Sequence, residues 1–184
     1  KKILITGGSG FIGSCLANYL CSKRRFEVFI IDIAKPPDYL NKSINYINLD
    51  ILNFLKLNNY INSLKPNIVY HFAARTDLKG KSMKDYLANT RGVRNVLNAL
   101  RNCKNLEKSI FASSMLVCKT GDNPDNFDYY NPPNLYGKSK MIGEKFIKNS
   151  NLSSTWCIVR PTSIWGPGFK IPYFNYFDII FKGK

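Results

Sequence analysis

Tyr136 and Lys140 stand four residues apart in Tyr136-Gly137-Lys138-Ser139-Lys140, a spacing that stacks both side chains on one face of a helix. A phenol with a pKa of about 10 is a poor base at neutral pH. An ammonium beside it favours the phenolate and lowers that value. Such a pair could take the proton of an alcohol, which hydride transfer from that alcohol requires. Ser114, at the end of a predicted strand, could hold the same hydroxyl and order the proton transfer. Tyrosine four before lysine is common by chance, so the reading depends on its surroundings. His71 is the sole histidine. A general base is conceivable there, but a packed, hydrogen-bonded core residue is the favoured reading for the end of a buried strand. Cys118 as a nucleophile is the weaker alternative to an ordinary loop cysteine.

The surroundings begin at the amino end, in Lys2-Ile3-Leu4-Ile5-Thr6-Gly7-Gly8-Ser9-Gly10-Phe11-Ile12-Gly13. A short apolar run leads into a glycine-rich turn and then an amphipathic helix. The glycines satisfy both Gly-x-x-Gly-x-x-Gly and Gly-x-Gly-x-x-Gly. One permits the tight turn, one lets the main chain approach a pyrophosphate, and one lets the helix lie close on the sheet. The helix N-terminus offers free N–H groups and the positive end of its dipole to the anion. Asp32 ends the next strand, where a carboxylate could bind the hydroxyls of an adenosine ribose. It would repel a 2′-phosphate, favouring NAD over NADP, although Lys35 nearby softens the preference. Alone, Asp32 would read as a strand-end cap. A nucleoside triphosphate loop is disfavoured, because Ser14 stands where its lysine should be.

Further along, apolar patterns predict strands over Phe26–Asp32, Ile44–Leu49, Pro66–Ala74, Lys108–Ser113 and Thr155–Arg160 after the first at Lys2–Thr6. Helices are predicted over Ser14–Lys23, Asn53–Leu64, Asp85–Leu100 and Leu135–Lys148, with Asn89 and Thr90 interrupting the third near its start. Alternation of this kind implies a doubly wound α/β fold, a parallel sheet covered on both faces with right-handed crossovers. Ligands bind at the carboxyl ends of such strands. Gly7, Asp32, Asp50, Ala73 and Ser114 are all expected there.

Composition narrows the class. At 184 residues and 45% hydrophobic, the chain can bury a core, and one domain is the expectation. No apolar run approaches the length of a membrane span and no signal-peptide pattern opens the chain. It starts at the first strand without methionine, which reads as a trimmed end. Five scattered cysteines with no Cys-x-x-Cys pair indicate neither zinc nor a disulfide framework, so no metal is expected and a reduced, cytoplasmic setting fits. The net charge of +15 is spread in small groups. That reads as solvated helix faces rather than a nucleic-acid or membrane surface, and it is compatible with an anionic small substrate.

Taken together, Thr6–Gly13, Asp32, Asp50-Ile51, His71-Phe72-Ala73-Ala74, Ser113-Ser114, Tyr136-x-x-x-Lys140 and Arg160-Pro161-Thr162 through Gly166-Pro167 resemble the extended short-chain dehydrogenase/reductases. The closest resemblance is to their NAD-dependent epimerase/dehydratase branch. The resemblance implies a Rossmann fold with Ser114, Tyr136 and Lys140 catalytic. It implies NAD contacts from Gly7, Gly10, Phe11, Ile12, Asp32, Asp50, Ile51, Ala73, Asn89, Tyr136, Lys140 and Pro161. The implied reaction is epimerisation of a nucleotide sugar through a transient 4-keto intermediate, by a homodimer packed through the Asp85–Leu100 and Leu135–Lys148 helices. A reductase or dehydrogenase that releases its cofactor, and a non-catalytic NAD-binding module, are the alternatives.

Two departures matter. Met115 and Leu116 stand where 4,6-dehydratases carry an Asp-Glu pair, which demotes dehydration, and Cys118-Lys119 replace the usual Tyr-Gly. Family members also continue into a smaller sugar-nucleotide domain. Residues 1–168 therefore read as the NAD-binding domain, and the aromatic residues 169–184 as the start of a substrate-binding region; a membrane-surface helix is the weaker reading of that segment. By this reading, the 184 residues alone should bind NAD but turn over poorly, because the pocket lacks a wall.

Overall fold

Lys2-Ile3-Leu4-Ile5-Thr6 forms the central strand β1 (Lys2–Thr6), in which Ile3, Leu4 and Ile5 are fully buried. Side chains alternate across a sheet. Ile3 and Ile5 therefore enter one apolar cluster with Ala17 and Leu20, while Leu4 enters another with Leu57, Ile61, Val96 and Phe111. Each such buried aliphatic side chain contributes roughly 1.5–3 kcal/mol. The computed structural model describes residues 1–166, 169 and 173–183.

Around β1 lie β2 (Glu27–Asp32), β3 (Asn45–Asn48), β4 (Ile68–His71), β5 (Lys108–Ala112) and β6 (Thr155–Val159). All pairings are parallel, in the order β3-β2-β1-β4-β5-β6. The chain winds outward from β1 in one direction and returns to wind in the other, so the order reverses between β1 and β4. The carboxyl ends of these two neighbours border the crevice where a doubly wound sheet takes its ligand. One layer holds α2 (Phe54–Leu64), α3 (Arg91–Leu100) and α4 (Leu135–Lys148), whose buried residues share the Leu4 cluster. α1 (Phe11–Ser22) covers the other face through Ala17 and Leu20. Cover on that face thins toward β6, where Thr155, Cys157 and Val159 are exposed.

The boundaries differ from expectation in physically readable ways. α1 starts at Phe11 rather than Ser14, because the extended Gly10 already caps it and its carbonyl accepts the Ser14 N–H at 2.9 Å. The expected helix over Asp85–Leu100 is broken. A 3-10 segment, Met83–Asn89, is followed by Thr90 at φ −118° and then α3. The break follows from Tyr86 and Asn89. Tyr86 leaves helical backbone geometry and donates its buried hydroxyl to the Asp77 carbonyl at 2.8 Å. Asn89 spends its amide on the loop after β4 rather than facing outward. A further 3-10 turn, Met115–Val117, has Ser114 as its cap.

A short helix, α5 (Tyr173–Phe181), closes the described chain. The expected domain boundary at 168 and 169, with Pro167, Gly168, Lys170, Ile171 and Pro172, lies outside the described residues on at least one side. Among the described residues, no helix is long and apolar enough to cross a membrane.

Candidate active site

The glycine turn joins the two central strands. Gly7 has φ +72°, and a Cβ there would stand 2.5 Å from the Ala73 nitrogen, so the exits of β1 and β4 touch. A Cβ on Gly13 would meet the Gly7 carbonyl oxygen at 2.2 Å, which draws α1 against the turn. Gly10 is different: its Cβ would meet only the Gly7 oxygen, at 3.3 Å. Crowding within the chain does not demand glycine there, whereas close approach of a pyrophosphate does. Gly10 caps α1 without a side-chain hydrogen bond, and no acidic residue lies in the first turn. The N–H groups of Phe11 and Ile12 therefore head a helix end suited to an anion. These features fit a dinucleotide.

Asp32, at the end of β2, accepts the Ser9 N–H through Oδ2 at 3.0 Å and the Ala34 N–H through Oδ1 at 3.0 Å. Its carboxylate is held at the lip of the glycine turn. Asp50 is exposed and accepts the Leu52 N–H at 2.8 Å. The Ile51 side chain lies in the core, and its carbonyl accepts from Asn95 Nδ2 at 2.9 Å, so any ligand contact falls to its main chain. The Phe11 ring stands 5.1 Å from that of Phe169, and Ile12 is 37% exposed.

The second group gathers at the exit of β5. Ser114 caps its 3-10 turn, with Oγ accepting the Leu116 N–H at 3.1 Å. The neighbouring Met115 N–H donates to the Pro161 carbonyl at 3.0 Å, which fastens the β6 exit beside it. α4 brings Tyr136. Its Asn134 cap accepts the Gly137 N–H at 2.8 Å, and a Cβ on Gly137 would stand 2.0 Å from the Leu116 carbonyl oxygen. Only glycine lets the first turn of α4 press this closely on the turn that carries Ser114. One helical turn on, Lys140 Nζ donates to the Ala112 carbonyl at 2.8 Å. Ser114, Tyr136 and Lys140 thus converge on one strand end, each at least nine-tenths buried.

Their electrostatics are set by burial. It raises the Tyr136 pKa above that of a free phenol, while the Ser114 hydroxyl pulls in the other direction. The lowered phenol expected from a lysine neighbour is not what the chain's own groups produce, because the Lys140 ammonium is directed at a carbonyl. Burial lowers Lys140 to about 8, and the Glu144 carboxylate opposes that fall. Glu144 is itself 1% exposed and paired with Arg160 through two bonds, at 2.8 and 2.7 Å, with the Tyr130 hydroxyl donating at 2.9 Å.

His71 sits in the core. The Thr6 hydroxyl accepts the Ala73 N–H at 3.2 Å and shares a hydrogen bond of 2.7 Å with His71 Nδ1. Burial, helped by the Lys140 charge, pushes the imidazole down to about 3. It is a neutral packing residue, as the favoured reading held. Cys118 donates weakly to the Tyr129 carbonyl. Among the described residues, no group of three or more His, Cys, Asp or Glu is placed to hold a metal.

Asn89, expected to contact the cofactor, turns its side chain into the protein. It is 1% exposed, and both its amide protons and its oxygen are engaged inside the protein. Sequence reasoning missed Gly137, Ser139, Glu144 and Tyr86. A glycine within the first turn of an otherwise ordinary helix was the signal for Gly137, and the continuation of the four-residue spacing was the signal for Glu144.

Residues 3–176 match the family model described as the NAD dependent epimerase/dehydratase family. A UDP-N-acetyl-alpha-D-glucosaminuronate decarboxylase of Bacillus cytotoxicus is 33% identical, over 92% of this chain and 56% of that protein. A 3 beta-hydroxysteroid dehydrogenase/Delta 5-->4-isomerase of vaccinia virus is 29% identical, over 91% and 53%. The crystal structure of a UDP-glucuronic acid 4-epimerase from Bacillus cereus, in complex with UDP-glucuronic acid and NAD, superimposes with a TM-score of 0.84 at 26% identity, covering 100% of this chain and 64% of that one. The chain spans about half the length of the curated relatives it matches. With its sheet order, glycine turn and matched extent, it belongs to the NAD-dependent epimerase/dehydratase family.

Proposed function

We propose that the chain supplies the NAD-binding and proton-transfer machinery of an epimerase acting on a nucleotide sugar through a transient 4-keto intermediate. The convergence of Ser114, Tyr136 and Lys140 on the exit of β5 carries this reading. Gly7, Gly10, Phe11 and Ile12 would hold the pyrophosphate, and Asp32 the adenosine ribose. Asp50 and Ile51 would lie along the adenine side, with Ala73 and Pro161 nearer the reacting end. NAD, when bound, supplies the acceptor that takes a hydride from the sugar carbon and returns it.

Tyr136 accepts the sugar hydroxyl proton on the outward step and gives it back on return. Ser114 holds that hydroxyl in line. Lys140 is protonated below about pH 8, so at neutral pH it keeps a positive charge beside the site. Return of the hydride to the opposite face of the ring inverts the centre. Replacing Tyr136→Phe in the intact protein should abolish turnover of UDP-sugars, followed by product analysis, and leave NAD affinity nearly intact. Unchanged turnover would refute the assignment.

A dehydrogenase that releases NADH at each turnover is the second reading, favoured by the steroid dehydrogenase relative. Both readings share oxidation of a carbinol, and stoichiometric NADH release separates them. Self-association through α3 and α4 is the partner arrangement that accompanies the epimerase reading.

A further inference from the structure

After Asp32 the chain runs Ile33-Ala34-Lys35-Pro36-Pro37, and β3 holds the first of these peptide groups in place. The Tyr46 hydroxyl donates to the Ala34 carbonyl at 3.1 Å. It accepts in turn from Asn48 Nδ2 at 3.0 Å, and that same amide donates to the Ile33 carbonyl at 2.9 Å. Tyr46 and Asn48 stand two apart on β3, so both side chains leave the same face of the sheet and reach the loop together. From the glycine turn, the Ser9 hydroxyl also donates to the Ala34 carbonyl, at 2.9 Å. Two consecutive carbonyls are thus clamped by three side-chain donors.

The clamp bears on two charges. Asp32 Oδ1 accepts the Ala34 N–H at 3.0 Å, so the aim of the carboxylate follows the position of Ala34. Lys35, the next residue along, is exposed. Pro36 and Pro37 follow it, and proline fixes its own φ while keeping the residue before it extended. The far end of the loop is tied to α1, where the Asn18 side chain donates to the Tyr39 carbonyl at 3.2 Å and accepts the Asn41 N–H at 2.8 Å. Held at both ends and stiff in the middle, the loop has little freedom to carry the Lys35 ammonium toward the Asp32 carboxylate.

We propose that Tyr46 and Asn48 are positioning residues for the choice of cofactor. By clamping the Ile33 and Ala34 carbonyls they keep the Asp32 carboxylate aimed at the adenosine ribose and withhold Lys35 from it, so that the pocket takes a free 2′-hydroxyl and rejects a 2′-phosphate. The proposal rests on the reading of Asp32 as the ribose ligand. It gives part of the selectivity to β3 residues that act through the loop.

The test measures the Kd of NAD and of NADP by titration calorimetry, for the intact protein and its Tyr46→Phe, Asn48→Ala and Asp32→Asn variants. Tyr46→Phe removes only the hydroxyl. Asn48→Ala changes an exposed side chain and carries the test if the phenylalanine variant does not fold. In each, NAD should bind about two- to ten-fold more weakly, the worth of a hydrogen bond, while NADP binds no worse. The ratio of the NADP Kd to the NAD Kd should therefore fall by about two- to ten-fold.

A clamp that only supports the fold would weaken both cofactors alike and leave the ratio at its parent value, and that result overturns the proposal. Unaltered binding of both cofactors in both β3 variants overturns it as well. Asp32→Asn separates this failure from that of the underlying reading. If it leaves the ratio unchanged, Asp32 is not the ribose ligand and the proposal falls with that reading. If it lowers the ratio while Tyr46→Phe and Asn48→Ala do not, the ribose reading stands and only the role of β3 falls.

Discussion

Gly137→Ala sets two well-known effects against each other. Within a helix, alanine is favoured over glycine by up to about 1 kcal/mol. Here the new methyl would stand 2.0 Å from the Leu116 carbonyl oxygen, 2.9 Å from its carbon and 3.2 Å from Pro132 Cβ. The first contact is more than an ångström inside ordinary van der Waals distance, and the atom met is backbone, which cannot rotate away. Overpacking of this kind typically costs about 1–3 kcal/mol. Net destabilisation of roughly 0–2 kcal/mol follows, which lowers the melting temperature by at most several degrees for a chain of this size.

The larger consequence of the same substitution is geometric. Relief requires α4 to back away from the turn that Ser114 caps, separating the serine hydroxyl from the phenol by about as much as the overlap. A misplacement on the order of 1 Å can cost about 10²-fold in rate. Thermal melts and steady-state kinetics on the intact Gly137→Ala protein measure both quantities. A variant that melts higher than the parent and keeps its kcat would show that the close approach does not hold the site together.

Acid stability offers a second check. Burial holds His71 at about 3, against about 6.5 when unfolded, so between these values the unfolded chain binds a proton that the folded chain refuses. Stability should fall as pH drops from about 6.5, and urea midpoints of His71→Asn should fall less steeply; parallel declines would contradict this. Charge bears on self-association. The exposed positions of α3 and α4 include Arg91, Arg94, Lys138 and Lys145, and neither helix has an exposed acid. A dimer through this face would bring like charges together, so its sedimentation should show tighter association as salt rises. Weakening with salt would exclude that interface.

Much of the frame was legible because apolar periodicity and glycine spacing report on backbone geometry directly. The run Lys2–Thr6, the turn at Gly7 and the four-residue step from Tyr136 to Lys140 each carry their structural meaning in the residues themselves. The helix over Asp85–Leu100 was read too simply for a matching reason. Its apolar spacing persists through the break, while the break depends on where the polar atoms of Tyr86 and Asn89 find partners. Those partners, at Asp77, Arg75 and Ser139, come from other parts of the chain. Side-chain hydrogen bonds across the fold leave no periodic trace, so these partners were invisible while Tyr136 itself was not.

The same distinction explains the phenol. Spacing along a helix predicts that Lys140 is near Tyr136, but it does not predict where the ammonium is aimed. In the fold, Nζ is committed to the Ala112 carbonyl, and burial, the largest influence on Tyr136, favours the protonated phenol. The residues of the chain therefore hold Tyr136 in the form that gives a proton. Taking one requires a further positive charge brought close in a site that excludes water, where such a charge acts with little screening. A cationic oxidised nicotinamide would meet that requirement, and its neutral reduced form would not. With NAD held as proposed, burial of Tyr136 would tie its proton affinity to the charge of the nicotinamide, leaving it the base beside the oxidised ring and the acid beside the reduced one. A free, exposed tyrosine beside a lysine would have no such alternation.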